Sequence, residues 1–378
     1  MSQWSNAKNI LCVRLDNMGD VLMTTPAMRA LKQSMPGCRL SLLASPSGAA
    51  VANHIPEVDQ VLMYDAPWVK SPNTHDAASD RRMISRLDAA DYDAAVIFTV
   101  YSQSALPAAL MCMMADIPLR LAHARENPYL LLTDWVRDTE PQSGVRHEVQ
   151  RQLDLVASIG AHCDDERLSF RINNADRSAL LAKLSRRGVN LRRPWLVLHP
   201  GATAASRRYP AEKYAAAAQA IRAQLDCQIL ITGSEPEIAV CHALQEAVGK
   251  NAFSLAGDLT LGELGTLIGS SALLLSNNSG PVHLAAALGT PVVDLYALTN
   301  PQHTPWQVPS RVLSHDVPCR NCYKSVCPEG HHDCLTKVEP QQVVSAVCEL
   351  WQEHGGRRAC FSLSPQQAGE ALVAADAA

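Results

Sequence analysis

Short apolar runs alternate with amphipathic stretches along most of the chain. Asn9 to Leu15, Arg39 to Ala44, Gln60 to Tyr64 and Asp93 to Phe98 are brief and largely apolar. They are too short for helices and lack the every-other-residue polarity of half-exposed strands, so they predict strands buried on both faces. Helical spacing fills the gaps at Val21 to Ser34, Ser47 to His54, Ala78 to Ala90 and Gln103 to Met114. Pro36-Gly37 closes the first of these helices. A second alternating run begins at Trp195 with WLVLHPGA and continues through CQILIT, Phe253 to Leu255, Leu273 to Gly289 and PVVDLY. Such alternation predicts an α/β protein with parallel sheets covered by helices on both faces.

At 378 residues the chain exceeds one hydrophobic core. The pattern divides it into a first domain over 1–175, a polar linker over 176–194 that holds a short helix at Asp176 to Arg187, a second domain over 195–339, and a C-terminal stretch over 340–378. In that last stretch Pro340 to Glu353 reads as an amphipathic helix and Ser364 to Ala378 as a short helix or frayed tail.

Composition narrows the function classes. With 47% hydrophobic and 19% charged residues the chain is of globular type. A net charge of -4 gives no general attraction to nucleic acid. No segment approaches the ~20 apolar residues of a membrane span, and nothing near the start reads as a signal peptide. The expected location is the cytoplasm.

Two turns carry candidate chemistry. In LLLSNNSGPVHLAAALG a buried strand runs into a polar turn and a helix, with Ser279 at the N-cap position and Pro281 in the first turn. A helix that opens there presents unpaired N–H groups to an anion, Gly280 permits close approach, and His283 lies one turn in. The other turn, Asp16 to Asp20, has one glycine where a dinucleotide fingerprint needs three. It argues against a cofactor pyrophosphate, and it leaves Asp20 at a helix start beside the carboxyl edge of the sheet. Basic residues recur at Arg81, Arg82, Arg86, Arg120, His123, Arg125, Arg146, His147 and Arg151. They form either a solvated surface or, gathered around one cleft, a site for an anionic acceptor. His147 and Arg151 are four apart and share a helix face.

Taken together, DNMGDVLMTTPAMRALK, HPGA with RRYP, TGSEPE and NNSGPVHLAAALGTPVVDLY resemble, in content and order, glycosyltransferase family nine. These are the heptosyltransferases that add heptose from ADP-heptose to lipopolysaccharide core or related acceptors. The resemblance covers Ile10 to about Leu350 and implies the GT-B architecture of two facing Rossmann-like domains. It also implies an inverting transfer to a glycolipid or acidic glycan with no cofactor needed for catalysis, and a C-terminal helix that crosses back to the first domain. By position Asp20 matches the general base. Arg207, in the place of a usual lysine, matches the residue meeting the diphosphate, as do Ser279, Gly280 and His283, while Glu235 matches a nucleoside contact. His147 and Arg151 match an acceptor-side pair, and Arg120 joins them as an acceptor candidate. At Asn278 many members carry aspartate, so the donor sugar is open: ADP-heptose first, another nucleotide sugar second. A non-catalytic sugar-nucleotide-binding or assembly protein is the reading from another class. Soluble enzymes of this type work at the cytoplasmic face of the inner membrane, which makes peripheral association an expectation.

Of twelve cysteines, Cys319, Cys322, Cys327 and Cys334 cluster. Four thiolates at short spacing suit a structural zinc or ferric ion, and the alternative is reduced or disulfide-paired cysteines without metal. Neither gives the cluster a part in the transfer reaction. Cys348 and Cys360 stand outside it.

Overall fold

The computed structural model describes residues 3–69 and 75–354. Residues 70–74 of the loop after Trp68, Cys360 and the predicted tail Ser364 to Ala378 lie outside the described residues. The chain divides into two units, one ending at Arg171 and the other starting at Ile172.

The first unit comprises β1 (Asn9–Arg14), α1 (Met18–Ser34), β2 (Arg39–Ala44), α2 (Pro46–Ala52), β3 (Gln60–Met63), α3 (Ala77–Asp88), β4 (Ala94–Ile97), α4 (Leu106–Met114), β5 (Leu119–Ala124), β6 (Asp134–Arg137) and α5 (Glu148–Ala157). Its six strands form one parallel sheet in the order β3-β2-β1-β4-β5-β6. Succession therefore reverses between β1 and β4, paired from Ile10↔Ala94 to Val13↔Ile97. The carboxyl ends of strands at such a reversal form a crevice where ligands of open α/β sheets bind. Leu11, Val13, Leu43 and Ile97 from the sheet pack with Met83, Leu87, Ala109 and Cys112 from α3 and α4.

Helix α1 has a proline inside it, Pro26. Without an N–H, proline cannot bond the carbonyl four residues back, at Leu22. The Thr25 hydroxyl donates to that carbonyl at 2.7 Å and restores the missing partner. The helix runs on, and its first turn stays fixed under the Asp16 to Asp20 turn.

The second unit comprises α6 (Asn174–Arg186), β7 (Trp195–His199), α7 (Ala211–Gln224), β8 (Gln228–Ile231), α8 (Ile238–Val248), β9 (Ala252–Ser254), α9 (Leu261–Gly269), β10 (Leu273–Asn277), α10 (Gly280–Ala287), β11 (Val292–Leu295), β12 (Ser310–Leu313), α11 (Asp333–Thr336) and α12 (Pro340–His354). Its sheet is also parallel, ordered β12-β11-β10-β7-β8-β9, and reverses between β7 and β10. Leu273 and Leu275 of β10 are fully buried in its core. Each such side chain contributes roughly 1.5–3 kcal/mol on burial.

The short helix expected within the polar stretch 176–194 is α6, capped by Asn173 and packed on α9. Lys183 secures it through an ion pair to Glu263 at 2.7 Å. The helix α12, expected to cross back to the first domain, buries Val343, Val344, Val347 and Leu350 in the core of the second unit, against α7.

Candidate active site

In the first unit the candidate base sits at the reversal. Asp20 is the third residue of α1, and its carboxylate accepts the Asn17 backbone N–H at 3.1 Å in a capping box. Its other oxygen meets Arg14 at 3.3 Å. Arg14, the last residue of β1, is fully buried and also pairs with Asp16 at 3.0 Å and Glu148 of α5 at 2.7 Å. Gln152 of α5 donates to the same Glu148 oxygen at 2.7 Å. One guanidinium thus gathers three carboxylates. Burial pushes Asp16 up to about 6 against the pull of Arg14, and the Asp20 and Glu148 charges push the same way. Asp16 and Gln103 line a cavity of about 290 Å³ with Trp68, Ile97, Phe98 and Thr99.

The acceptor candidates do not gather there. Arg151 is fully buried and donates to the Thr99 carbonyl, Asp138 and Glu140. Its guanidinium is consumed inside the fold and is not open to a ligand. His147 is the N-cap of α5, where its ring accepts the Val149 N–H at 3.2 Å. The pair predicted to share a helix face therefore caps and anchors α5. Arg120 donates to the carbonyls of Ile117, Leu130 and Leu131, tying down the segment between β5 and β6. Arg82 and Arg86 of α3 instead line an open cavity of about 400 Å³ beyond the end of β3, with His75, Asp76 and Tyr64.

In the second unit β10 ends in Asn277, whose side chain organises the turns around it. It donates to the Pro200 carbonyl at 2.6 Å and accepts from the Tyr209 N–H and the Tyr214 hydroxyl at 3.0 Å each. The HPGA turn, the RRYP segment and the start of α10 are thereby held together. Ser279 occupies the N-cap position of α10, but its hydroxyl bonds the carbonyls of Asn277 and Gly201 and does not cap the helix. Ser279 and Gly280 are half-exposed, whereas Asn278 and His283 are buried, with the His283 and His303 rings edge to face at 6.3 Å.

Arg207 ends a short 3-10 turn, Ala205–Arg207, and acts on buried Asp294 through space. Among the described residues its guanidinium has no hydrogen-bonding partner. The neighbouring Ser206 is fastened to the cysteine segment by its N–H to the Ser325 carbonyl at 3.0 Å and its hydroxyl to the Lys324 carbonyl at 2.8 Å. Asn321 and Tyr323 bond the carbonyls of Leu298 and Thr299. The segment that spacing alone set apart from the chemistry braces the Arg207 loop.

Three residues of the second unit were not singled out from sequence. Asp294 in β11 accepts from the Asn278 amide at 2.9 Å, and burial pushes it up to about 7. Glu237, and not only the exposed Glu235 two residues before it, stands at the HPGA turn, where a side chain at Gly201 would collide with its carboxylate. His199 bonds Thr232 at 3.0 Å and is pushed down to about 4 by burial, so it is neutral at pH 7. A strand residue such as Asp294 gives no local signal of a site; its neighbour in space, the unusual Asn278, was the available hint.

For the four cysteines a metal cage and cysteines without metal are the alternatives. Among the described residues no three His, Cys, Asp or Glu side chains converge on a common point. Cys319 lies 3.8 Å from the His331 ring, and Cys334 is pushed up by burial and by the other three thiols. The donors suit zinc or iron; their arrangement does not.

Sequence comparison agrees with this layout. The profile of glycosyltransferase family 9 (heptosyltransferase) matches residues 81–332. The chain is 25% identical to lipopolysaccharide heptosyltransferase 2 of Salmonella typhimurium over 92% of this chain and 99% of that one. The solved structure of E. coli ADP-heptose lps heptosyltransferase II has a TM-score of 0.72 at 22% identity, covering 91% of this chain and 99% of that one. The iron-containing dodecameric glycosyltransferase TibC from enterotoxigenic E. coli shares the fold at a TM-score of 0.52 and 15% identity, covering 92% and 77%. With two parallel sheets, each reversing at the turns that carry the family's motifs, the chain belongs to glycosyltransferase family 9, the heptosyltransferases, and is a GT-B transferase.

Proposed function

We propose that the chain transfers heptose from ADP-heptose, with inversion, to a hydroxyl of a lipopolysaccharide-core-like or other acidic glycan. The observation that carries the reading is the placement of Asp20 and of the Gly280 helix start at the strand-order reversals of their two sheets. Asp20 accepts the acceptor's proton as that oxygen attacks the anomeric carbon. The departing diphosphate is met by the α10 N-terminus and by Arg207. Glu235 and Glu237 stand at the turn after β8, where ribose hydroxyls or a base edge would be recognised. ADP-heptose as donor is supported by the E. coli relative, an ADP-heptose heptosyltransferase, and by the complex of TibC with ADP-D-beta-D-heptose.

On the acceptor side Arg82 and Arg86, rather than Arg120 and Arg151, are the cations available to acidic groups. The reading needs no metal for transfer, and it gives the four-cysteine segment the part of a brace for the Arg207 loop. Work at the cytoplasmic face of the inner membrane belongs to the same reading. Among the described residues no helix is long and apolar enough to cross a membrane, so any attachment of these helices would be peripheral.

A second reading is favoured by one observation. The buried Asn278–Asp294 pair could recognise a different sugar, because it moves the carboxylate from the turn into β11. Mass spectrometry of the chain incubated with a lipopolysaccharide core oligosaccharide and ADP-heptose, or with UDP and GDP sugars, separates them. A mass gain of one heptose from ADP-heptose alone supports the first reading, and gain only from another nucleotide sugar overturns it.

A further inference from the structure

The cavity at the β1/β4 reversal is the starting observation. Its walls are mostly apolar, from Trp68, Ile97 and Phe98, and its polar lining includes Asp16, Gln103 and Thr99. A volume near 290 Å³ accommodates one pyranose ring. Of the three carboxylates on Arg14, Asp16 is the one that lines this space.

The geometry around Arg14 is specific. Asp16 lies 3.0 Å from Nε without a hydrogen bond to it, Asp20 lies 3.3 Å from the terminal nitrogen Nη2, and Glu148 takes Nη1 at 2.7 Å. The two aspartates therefore share one guanidinium with Glu148. One buried positive charge cannot neutralise three carboxylates, so the group favours uptake of a proton.

We propose that Asp16 is a second catalytic carboxylate, the one that binds the acceptor hydroxyl in this cavity and on which the acceptor's proton comes to rest. This rests on the transfer reaction proposed above. As the acceptor oxygen bonds to the anomeric carbon, the anomeric bond to the diphosphate breaks and its electron pair leaves with the diphosphate. The proton taken by Asp20 passes by way of solvent to Asp16, while Arg14 stays protonated between them, and Asp20 is again ionised. Solvent at the mouth of the cavity then removes the proton from Asp16.

Charge and burial suit Asp16 to this part. The groups that bear on it are Arg14 and Asp20 from its own segment, Glu148 from α5, and Gln103, which donates to its carboxylate. Dry walls and two neighbouring anions raise its proton affinity to about 6, near enough to neutrality for it to gain and lose a proton within a turnover.

Two measurements on the whole chain test the proposal. Carboxyl carbon NMR should show one aspartate titrating near pH 6, absent in D16N and shifted upward in Q103L, which loses a hydrogen bond to the ionised form. The pH profile of kcat, with ADP-heptose and a lipopolysaccharide core oligosaccharide, should have an acid limb near 6. In D16N that limb should vanish and kcat should fall on the order of a hundredfold, with the donor KM within about twofold. In Q103L the limb should move to higher pH. A limb still near 6 in D16N, a uniform fall in rate without a change of profile, or no carboxyl titrating near 6 overturns the proposal. Loss of transfer in D20N, with Asp16 still titrating but at a lower pH for want of the neighbouring charge, supports both assignments, whereas full transfer in D20N overturns the Asp20 reading separately.

Discussion

The side-chain amide of Asn278 donates to the carboxylate of Asp294 at 2.9 Å, and both residues are buried at the end of the β10–β11 pair. This accounts for asparagine in a place where an acidic residue would repel its neighbour. Asp294 is pushed up to about 7 by burial, against roughly 3.9 in an unfolded chain. Between those values the folded chain holds a proton that the unfolded chain has lost. Stability is therefore fully present below about pH 4 and declines as pH rises toward 7. Asp294→Asn should flatten this decline, read as thermal midpoints at pH 5 and pH 8. An unchanged slope in the variant would remove Asp294 as its source.

Asp20→Ala should lower transfer by about 10²- to 10⁴-fold and leave ADP binding nearly intact. Calorimetry with ADP beside a transfer assay separates the two. Undiminished turnover would reject Asp20 as the base.

Arg151→Ala leaves Asp138 and Glu140 without a cation they share inside the first unit. Breaking a buried pair this way costs about 3–5 kcal/mol. Denaturant unfolding should show that loss. A variant of wild-type stability with a selectively raised acceptor KM would restore Arg151 to the acceptor site.

Arg82→Ala combined with Arg86→Ala should act in the opposite way, because both side chains line the cavity beyond β3. Stability should stay within about 0.5 kcal/mol, as at surface positions generally. KM for an acidic core oligosaccharide should rise several-fold, and the rise should shrink at high salt. An unchanged acceptor KM would place the acidic groups elsewhere.

Ser206→Ala removes the hydroxyl tether between the Arg207 loop and the Lys324 carbonyl. A neutral hydrogen bond of this kind contributes about 0.5–1.5 kcal/mol. If the loop presents Arg207 to the diphosphate, the ADP dissociation constant should rise about 2- to 10-fold, while unfolding changes little. Equal ADP affinity in the variant would show that the brace is irrelevant to nucleotide binding.

Much of the fold was legible because its central strands are apolar runs. Ile10 to Val13 and Leu273 to Leu275 are buried on both faces and carry little else. The strands missed by that reading are those with a polar burden. LRLAHA in β5 contains Arg120 and His123, while DWVR in β6 and SRVL in β12 are half-exposed sheet edges. The turns of the candidate site were legible through glycine, proline and a carboxylate at fixed spacing. The acceptor arginines were not, because a sequence shows a cation without its partner. Arg151 looks the same whether it meets a ligand or two buried carboxylates. Asp16 stood in the same turn as Asp20, and only the shared Arg14 and the cavity distinguish its part.

Helix α12, the last element among the described residues, is a keystone of the sheet it covers. Val343, Val344, Val347 and Leu350 fill the space against α7, β10 and β11. At roughly 1.5–3 kcal/mol for each buried aliphatic side chain, their combined worth rivals the whole stability margin of an ordinary domain. A premature stop just before Pro340 would spare every residue of the candidate site and still cost the protein its second unit.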